Sequence, residues 1–490
     1  MAKAGAEKVA DLLGAVDAVC SGADGRLFLG QQDGFHLDLF TSGSPFSQLL
    51  IERWRCTLQR RGREFARRGI PYVFFLVPDA PSVCAEDLPD DFRTRFRPPG
   101  EIFLEAIGEV PGVTFIYPLQ AMRQAKGGLE VYRKKDSHWT CYGSFVAYQA
   151  FMAKVARLAP CHVLQARDVR FAFRRGFGDL GSQMNPEQFE ESPIPTIGGP
   201  TLRSVRNGEG VGRQTASETE SDLGLDRSRA LVFRDSFMTD FSPYLARSYS
   251  HLLTLGTTTR VMFDAVETWR PSIVVSQVAE RKLFYHGVDH QIDGFETIYH
   301  PNFRPAAGGR LLKAMLLRNQ DPAAAKAAIV DHVGELAKDP VHAFSIALVM
   351  ESAGDIDAAQ RLIDDALEQR PDQPSFNALA ARIALAKGQL ATAVSFAAAA
   401  ARLAPSNGYF HELHTYCVVQ ADGAAAAVKL VEAALRHVTD HPNLWYWASV
   451  CHAAVHQMAP AKAAIDCALA LAPDDAAYLA HDEHVRSFAR

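Results

Sequence analysis

The sequence has no long apolar run. Its longest purely apolar stretches, Tyr72–Val77 (YVFFLV) among them, are strand-sized, far short of the ~20 residues a membrane helix needs. No excess of positive charge exists either, since the net charge is −5, and a chain without a basic field has no general means of holding nucleic acid. The eight cysteines contain no C-x-x-C pair and no regular spacing, which excludes a disulfide framework or a zinc ribbon and fits buried thiols in a reducing compartment. At the N-terminus, Glu7 and Asp11 interrupt the place where a secretory signal keeps an apolar core. The expectation is a cytoplasmic protein without a membrane span.

The remaining composition is ordinary for a globular chain, with 48% hydrophobic and 22% charged residues. A length of 490 residues implies two to four domains at ~100–200 residues each. The two ends of the chain follow different rules. From about residue 311 the sequence is alanine-rich and repeats at an interval of 34, placing Ala325, Ala359, Ala393, Ala427 and Ala461 in one phase and Ala366, Ala400, Ala434 and Ala468 in another. Pro340, Pro374 and Pro442 share a third phase, with Gly408 in the missing place, and Gly354 and Gly388 fall where two helices of a pair would turn. Small residues at fixed phase let paired helices approach closely, and proline starts each new pair. The pattern resembles tetratricopeptide repeats over roughly 321–476, with full repeats beginning near 340, 374, 408 and 442. The resemblance implies a scaffold or a surface for a protein partner.

The first 300 residues alternate helical and strand patterns. Phe46, Leu50, Trp54 and Leu58 recur every four residues in a helix ending at Gly69, and the strand Tyr72–Val77 follows. A helix near 101–109, a strand at 113–117, a helix after Gly143 and the strands 230–233, 251–255 and 273–278 continue the alternation, which predicts a parallel α/β sandwich. The arginine-rich face between Arg53 and Arg68 is expected to be solvated. The polar stretch from about Glu190 to Ser228 reads as a long excursion, a candidate lid, and Asn207–Gly212 as loop. Residues 301–310 read as the linker between a domain at 1–300 and a repeat domain at 311–490.

Ligands of open α/β sheets bind beyond the C-terminal ends of strands. Ser236, in ALVFRDSF, follows such an end. A serine hydroxyl becomes nucleophilic when a histidine accepts its proton and a carboxylate orients that histidine. In DSHWT, Asp136 and His138 are two residues apart and can project from one side of a turn. Cys141 reads as packing rather than nucleophile. His286 and His290 have a metal-like spacing interrupted by Gly287 and read as loop histidines; no metal or cofactor is expected.

Several ordered segments together resemble the alginate O-acetyltransferase-like branch of the SGNH hydrolases: GADGRLFLG (Gly22–Gly30), the strand and loop from Tyr72 to Pro89, the D-x-H-W box of Asp136, His138 and Trp139 with Gly143 and Tyr148 after it, FGDLG (Phe177–Gly181), RDSF with Ser236, and IVVSQVAERKL with Glu280 and Arg281. In ordinary SGNH hydrolases the serine comes early, whereas here the Asp/His pair precedes it, as in the alginate branch. The resemblance implies a three-layer α/β/α sandwich, followed here by the all-α repeat solenoid. It also implies a Ser236–His138–Asp136 triad that takes acetate from a donor as a serine ester and passes it to a carbohydrate hydroxyl. Trp139, Arg234 and Arg281 are candidate substrate contacts, Arg281 with an ion pair to Glu280 as its structural alternative. Acetylesterase activity, or a non-catalytic glycan-binding scaffold, are the competing expectations.

Overall fold

The computed structural model describes residues 19–32, 35–37, 45–184, 189–209, 215–225, 228–287, 289–292 and 306–488. The N-terminal stretch with Glu7 and Asp11 and most of the expected linker lie outside them. The described chain falls into two compact units, one holding residues up to Val205 with Glu218–Arg260 and Pro271–Gly287, the other Arg206–Ser217, Val261–Arg270 and Val288–Arg490. No helix among the described residues is long and apolar enough to cross a membrane.

The layered α/β part begins with α1 (Gln48–Arg67), capped where Ser47 Oγ accepts the Leu50 N–H. Then come β1 (Tyr72–Val77), α2 (Pro99–Ile107), β2 (Val113–Ile116) and α3 (Cys141–Val155). An antiparallel ribbon of β3 (Val169–Phe177) and β4 (Phe189–Ile197) encloses the short helix α4 (Asp179–Met184). β5 (Leu202–Glu209), β6 (Ala216–Ser221), β7 (Arg229–Phe233), α5 (Met238–Leu245), β8 (His251–Leu255) and β9 (Ile273–Ala279) follow. The seven-stranded sheet has the order β2-β1-β9-β7-β8-β6-β5, and its β2-β1-β9-β7-β8 pairings are parallel. Because successive strand residues point to opposite faces, Phe74 meets Trp54 of α1 and Phe103 of α2, while Phe75 meets Phe151 of α3 and Phe241 of α5. Helices therefore cover both faces, as the α/β reading expects.

Three expectations need correction. The polar stretch 190–228 is no excursion: β4 pairs with β3, β5 and β6 extend the main sheet, and 207–209 belong to β5. The arginine-rich helix is not solvated throughout, since Arg60 and Arg61 are fully buried and the Arg61 guanidinium donates to Thr259 O at 2.6 Å and Tyr72 Oη at 3.2 Å. The expected linker is helical from Ala306 onward, inside a helix that runs to Leu317.

In the second unit, helix pairs repeat as expected: Pro340–Ser352 with Ile356–Gln369, Pro374–Ala386 with Leu390–Leu403, Gly408–Asp422 with a broken second helix ending at Leu435, and Pro442–Ala454 with Met458–Leu471, closed by Ala476–Ser487. The five in-phase alanines from Ala325 to Ala461 are fully buried, the physical reason for their period. Gly354 and Gly388 turn each pair with positive φ of 76° and 70°. Residues 290–292 are pinned by loops and helix starts of three successive repeats. Ser375 Oγ donates to Ile292 O at 2.6 Å and Asn407 Nδ2 to Gln291 O at 2.8 Å. The Gly408 N–H donates to His290 Nδ1 at 2.9 Å, which leaves the proton on Nε2 to reach Asp440 Oδ1 at 2.9 Å. His286 instead lies 2.9 Å from Thr57 Oγ1.

Two stability predictions follow from these contacts. A Cβ on Gly143 would stand 1.9 Å from Val131 O, so Gly143→Ala is expected to lower the urea unfolding free energy by about 1–3 kcal/mol. His290→Ala removes a buried, charge-assisted hydrogen bond and is expected to destabilise the repeat unit by about 1.5–3 kcal/mol, read by hydrogen exchange in the helices starting at Gly408 and Pro442.

Candidate active site

Three neighbouring parallel strands deliver polar residues from their C-terminal ends: β1 leads into Asp79, β7 into Arg234, Asp235 and Ser236, and β9 into Glu280 and Arg281. Ser236 lies just before α5, and its hydroxyl is exposed. The loop before α3 brings His138 against it, with Nε2 2.8 Å from Ser236 Oγ. On the other side of the ring, Nδ1 is 2.8 Å from Asp136 Oδ1, which also accepts the His138 backbone N–H at 2.9 Å. A carboxylate at Nδ1 places the proton there and leaves Nε2 as the acceptor for the serine hydroxyl. Burial works to raise the Asp136 carboxyl, but the hydrogen bond and charge of His138, with Arg133 beside it, hold it down at about 2. Asp136 is therefore a carboxylate across the neutral range.

The surrounding residues fix this line. The buried Asp235 carboxylate accepts from Phe237 N–H at 3.0 Å, Gln277 Nε2 at 2.7 Å and Ala279 N–H at 2.7 Å, locking the turn that carries Ser236 to the end of β9. Asp179, at the start of α4, accepts the Ser137 N–H and hydroxyl, each at 2.6 Å, and its own N–H donates to Asp136 Oδ2 at 3.1 Å. Arg281 pairs with Asp79 through its guanidinium and donates its backbone N–H to the same carboxylate at 2.8 Å. The guanidinium also approaches Ser137 Oγ at 3.4 Å and lies 4.9 Å above the Phe237 ring, a ring whose other contacts include His138. Burial opposes the Arg281 charge, and the carboxylates of Asp79 and Asp235 outweigh it, raising the group above the ordinary guanidinium value.

Glu280 does not pair with Arg281. It is fully buried and accepts from Asp79 N–H at 2.7 Å, Ser82 Oγ at 2.7 Å, Gly100 N–H at 2.8 Å and the Tyr117 hydroxyl. Burial, reinforced by Asp79, pushes it up to about 7. Trp139 is likewise no sugar platform: it is fully buried, edge-on to Phe237 at 5.2 Å and stacked on Phe241 at 5.9 Å. Arg234 is half-buried, and its backbone links β7 to the loop after β8 through Leu255 O and Thr258 N–H. Cys141 is a buried thiol that burial, then Asp240, push up to about 12, too high for a thiolate nucleophile. Asp136, His138 and Asp179 bring three ligand-type atoms within 4.8 Å of one another, and all three are engaged in the hydrogen bonds just described. Asp179, Asp235 and Asp79 are site residues that the reading of the sequence did not single out, although each stands in a segment already noted: FGDLG, RDSF and the loop after YVFFLV.

A histidine poised between an exposed serine and a buried carboxylate, at the strand ends of a parallel sheet, is the geometry to compare with known proteins. Residues 19–206 match the family model of the SGNH hydrolase-like domain of the acetyltransferase AlgX. This AlgX-like segment contains Asp136, His138 and Asp179, and Ser236 lies beyond it. No curated protein matches the chain. Among solved structures, PatB1 of Bacillus cereus is 16% identical, covering 55% of this chain and 98% of its own with a TM-score of 0.42. The O-acetyltransferase domain of Pseudomonas putida AlgJ is 19% identical, covering 55% and 93% with a TM-score of 0.34. A thermophilic TPR protein of Thermus thermophilus is 18% identical, covering 37% and 100% with a TM-score of 0.32. The chain thus joins an AlgX-like α/β domain to a helical repeat region.

The Asp79–Arg281 pair gives this site its own test. Removing one partner of a buried ion pair leaves the other charge uncompensated, at a cost of about 3–5 kcal/mol. Asp79→Asn is expected to lower the chemical-denaturation stability of the α/β unit by that amount.

Proposed function

We propose that the α/β unit is an O-acetyltransferase that moves acetate to a carbohydrate hydroxyl through an acetyl ester on Ser236. The observation that carries the reading is the continuous line from Asp136 Oδ1 through both ring nitrogens of His138 to Ser236 Oγ, 2.8 Å at each step. The AlgX-like segment supports the reaction class. In this reading Ser236 Oγ attacks the acetyl carbonyl of the donor as its proton passes to His138 Nε2, and Asp136 stabilises the resulting imidazolium. The tetrahedral oxyanion needs preorganised donors, and the Ser236 backbone N–H, at the turn into α5, is the first. Collapse breaks the donor's C–O or C–S bond, and the Nε2 proton goes to the leaving group. The acceptor hydroxyl then gives its proton to the same nitrogen while its oxygen attacks the acetyl-serine, and the proton returns to Ser236 Oγ as the sugar ester departs. The repeat unit, in the same reading, holds a protein partner.

Purified protein supplied with a chromogenic acetyl ester provides the test, with intact mass as a second readout. Ester turnover with a transient acetyl adduct is expected. Ser236→Ala should abolish the adduct and lower turnover by about 10⁴-fold or more, and Asp136→Asn should lower it by about 10⁴-fold, because the wrong tautomer then faces the serine. A folded wild type with neither turnover nor adduct would sink the acyl-serine route and leave the scaffold reading. Turnover that is indifferent to added sugars would favour the esterase.

A further inference from the structure

A cavity of about 350 Å3 lies beside the triad in the α/β unit, between Asp24–Gly25, the loop from Glu130 to Lys135 with Thr140, and Glu190–Ser192 of β4. Its size falls within the ~300–1,000 Å3 of ordinary ligand sites. Its position ties it to the chemistry, because the loop that walls it continues directly into Asp136. Arg133 of that wall donates to Asp240 Oδ2 at 2.9 Å and lies 3.5 Å from Asp136 Oδ2.

The lining states what would fit. Two of its three cations already face carboxylates: Arg133 as above, and Lys134 bonded to Asp24 with Glu130 at 3.7 Å. Lys135 has no carboxylate partner among the described residues, and its ammonium reaches only the Phe189 carbonyl at 3.4 Å. Glu190 is held by one oxygen, Oε2, which accepts the Lys134 and Lys135 backbone N–H groups at 2.8 and 3.3 Å. Its other oxygen, Oε1, is buried away from solvent without a hydrogen-bond partner, so Glu190 contributes negative charge to the wall. Glu191 adds an exposed carboxylate and Ser192 a hydroxyl. With four carboxylates against three cations, the wall carries no surplus positive charge to receive a polyanion. Tyr132 presents no ring face, being fully buried with its hydroxyl on Pro78 O.

We propose that this cavity is an acceptor subsite for a neutral, hydroxyl-rich glycan, recognised through hydroxyl hydrogen bonds to Lys135, Glu191 and Ser192, and that it discriminates against polyuronates. The proposal rests on the acetyl-transfer reading for its biological sense, but binding at the cavity can be measured without any turnover. A polyuronate carboxylate entering here would meet Glu130, Glu190 and Glu191, and like charges brought together out of water are strongly disfavoured. A sugar hydroxyl meets the exposed Glu191 carboxylate and the Lys135 ammonium instead.

The experiment is a calorimetric titration of Ser236→Ala protein, which cannot pass acetate on, with a neutral hexose oligosaccharide and with a polyuronate oligosaccharide of the same length. The neutral glycan is expected to bind more tightly. Lys135→Ala and Glu191→Ala, each added to Ser236→Ala, should weaken it by about tenfold, the loss of one hydrogen bond to a charged group, with thermal stability checked alongside. Tighter binding of the polyuronate, no binding of the neutral glycan, or neutral-glycan binding indifferent to both substitutions would overturn the proposal. Wild-type turnover of the acetyl ester, measured separately, reports on the acyl-serine chemistry alone, so failure of that chemistry and failure of the subsite are told apart.

Discussion

The buried pair between Asp79 and Arg281 is the joint on which the site depends. Asp79 ends β1 and Arg281 follows β9, and these neighbouring parallel strands run in register up to Val77 and Ala279. The pair ties the two loops that leave the sheet there, and the guanidinium continues outward to Ser137. Ser137 is held by Asp179, Asp179 donates to Asp136, and Asp136 orients His138. A charge buried at the edge of the sheet therefore acts on the ring nitrogen that faces the serine, through polar contacts that each have a fixed direction. Networks of this kind specify one geometry when every member is satisfied and destabilise when one is not.

Ser236 is fixed by a second anchor that meets the first at Phe237. Asp235 binds its loop to the backbone of Ala279 and to Gln277 of β9, so Ser236 and the Arg281 loop hang from the same strand. Phe237 then fills the space between the His138 ring and the Arg281 guanidinium. Trp139 supports that aromatic from below with no access to solvent. The tryptophan of the D-x-H-W box thus works as packing that sets the histidine's position, which explains an aromatic at that place without any sugar contact.

How much of this was legible in the sequence depended on whether the signal was local. The alanine phase is local and repeated, and the helix starts at Pro340, Pro374, Gly408 and Pro442 follow it to the residue. The apolar strands of the parallel sheet were equally readable, because burial on both faces leaves near-continuous apolar runs. β4 to β6 were not. FEESPIPTI carries two prolines, tolerable where one side of a strand has no neighbour to pair with, and ASETES has no apolar face from which to read a period of two. Ser236, His138 and Asp136 could be named as a group, with the resemblance supplying the pairing between distant segments. The partners of Arg281 and Glu280 could not be read, because adjacency in sequence suggested an ion pair while the strand end sends the two side chains to opposite surroundings.

The cavity walled by the loop that leads into Asp136 is chemically separate from the line between Asp136, His138 and Ser236. In the proposed reading Asp136 and His138 activate Ser236, and that machinery is indifferent to what the acyl group is passed to. In the proposed reading acceptor choice lies in the walls around it, here in the exposed Glu191 carboxylate and in cations that mostly face carboxylates of the same chain. A site meant for a polyuronate would hold guanidinium groups free to form bidentate pairs with each sugar carboxylate. Arg133, the one guanidinium in this wall, is turned instead toward Asp136 and Asp240, where it steadies the loop that carries Asp136 and His138. The same residue cannot serve both ends, so a wall that spends its guanidinium on Asp136 and Asp240 has none to offer a sugar carboxylate.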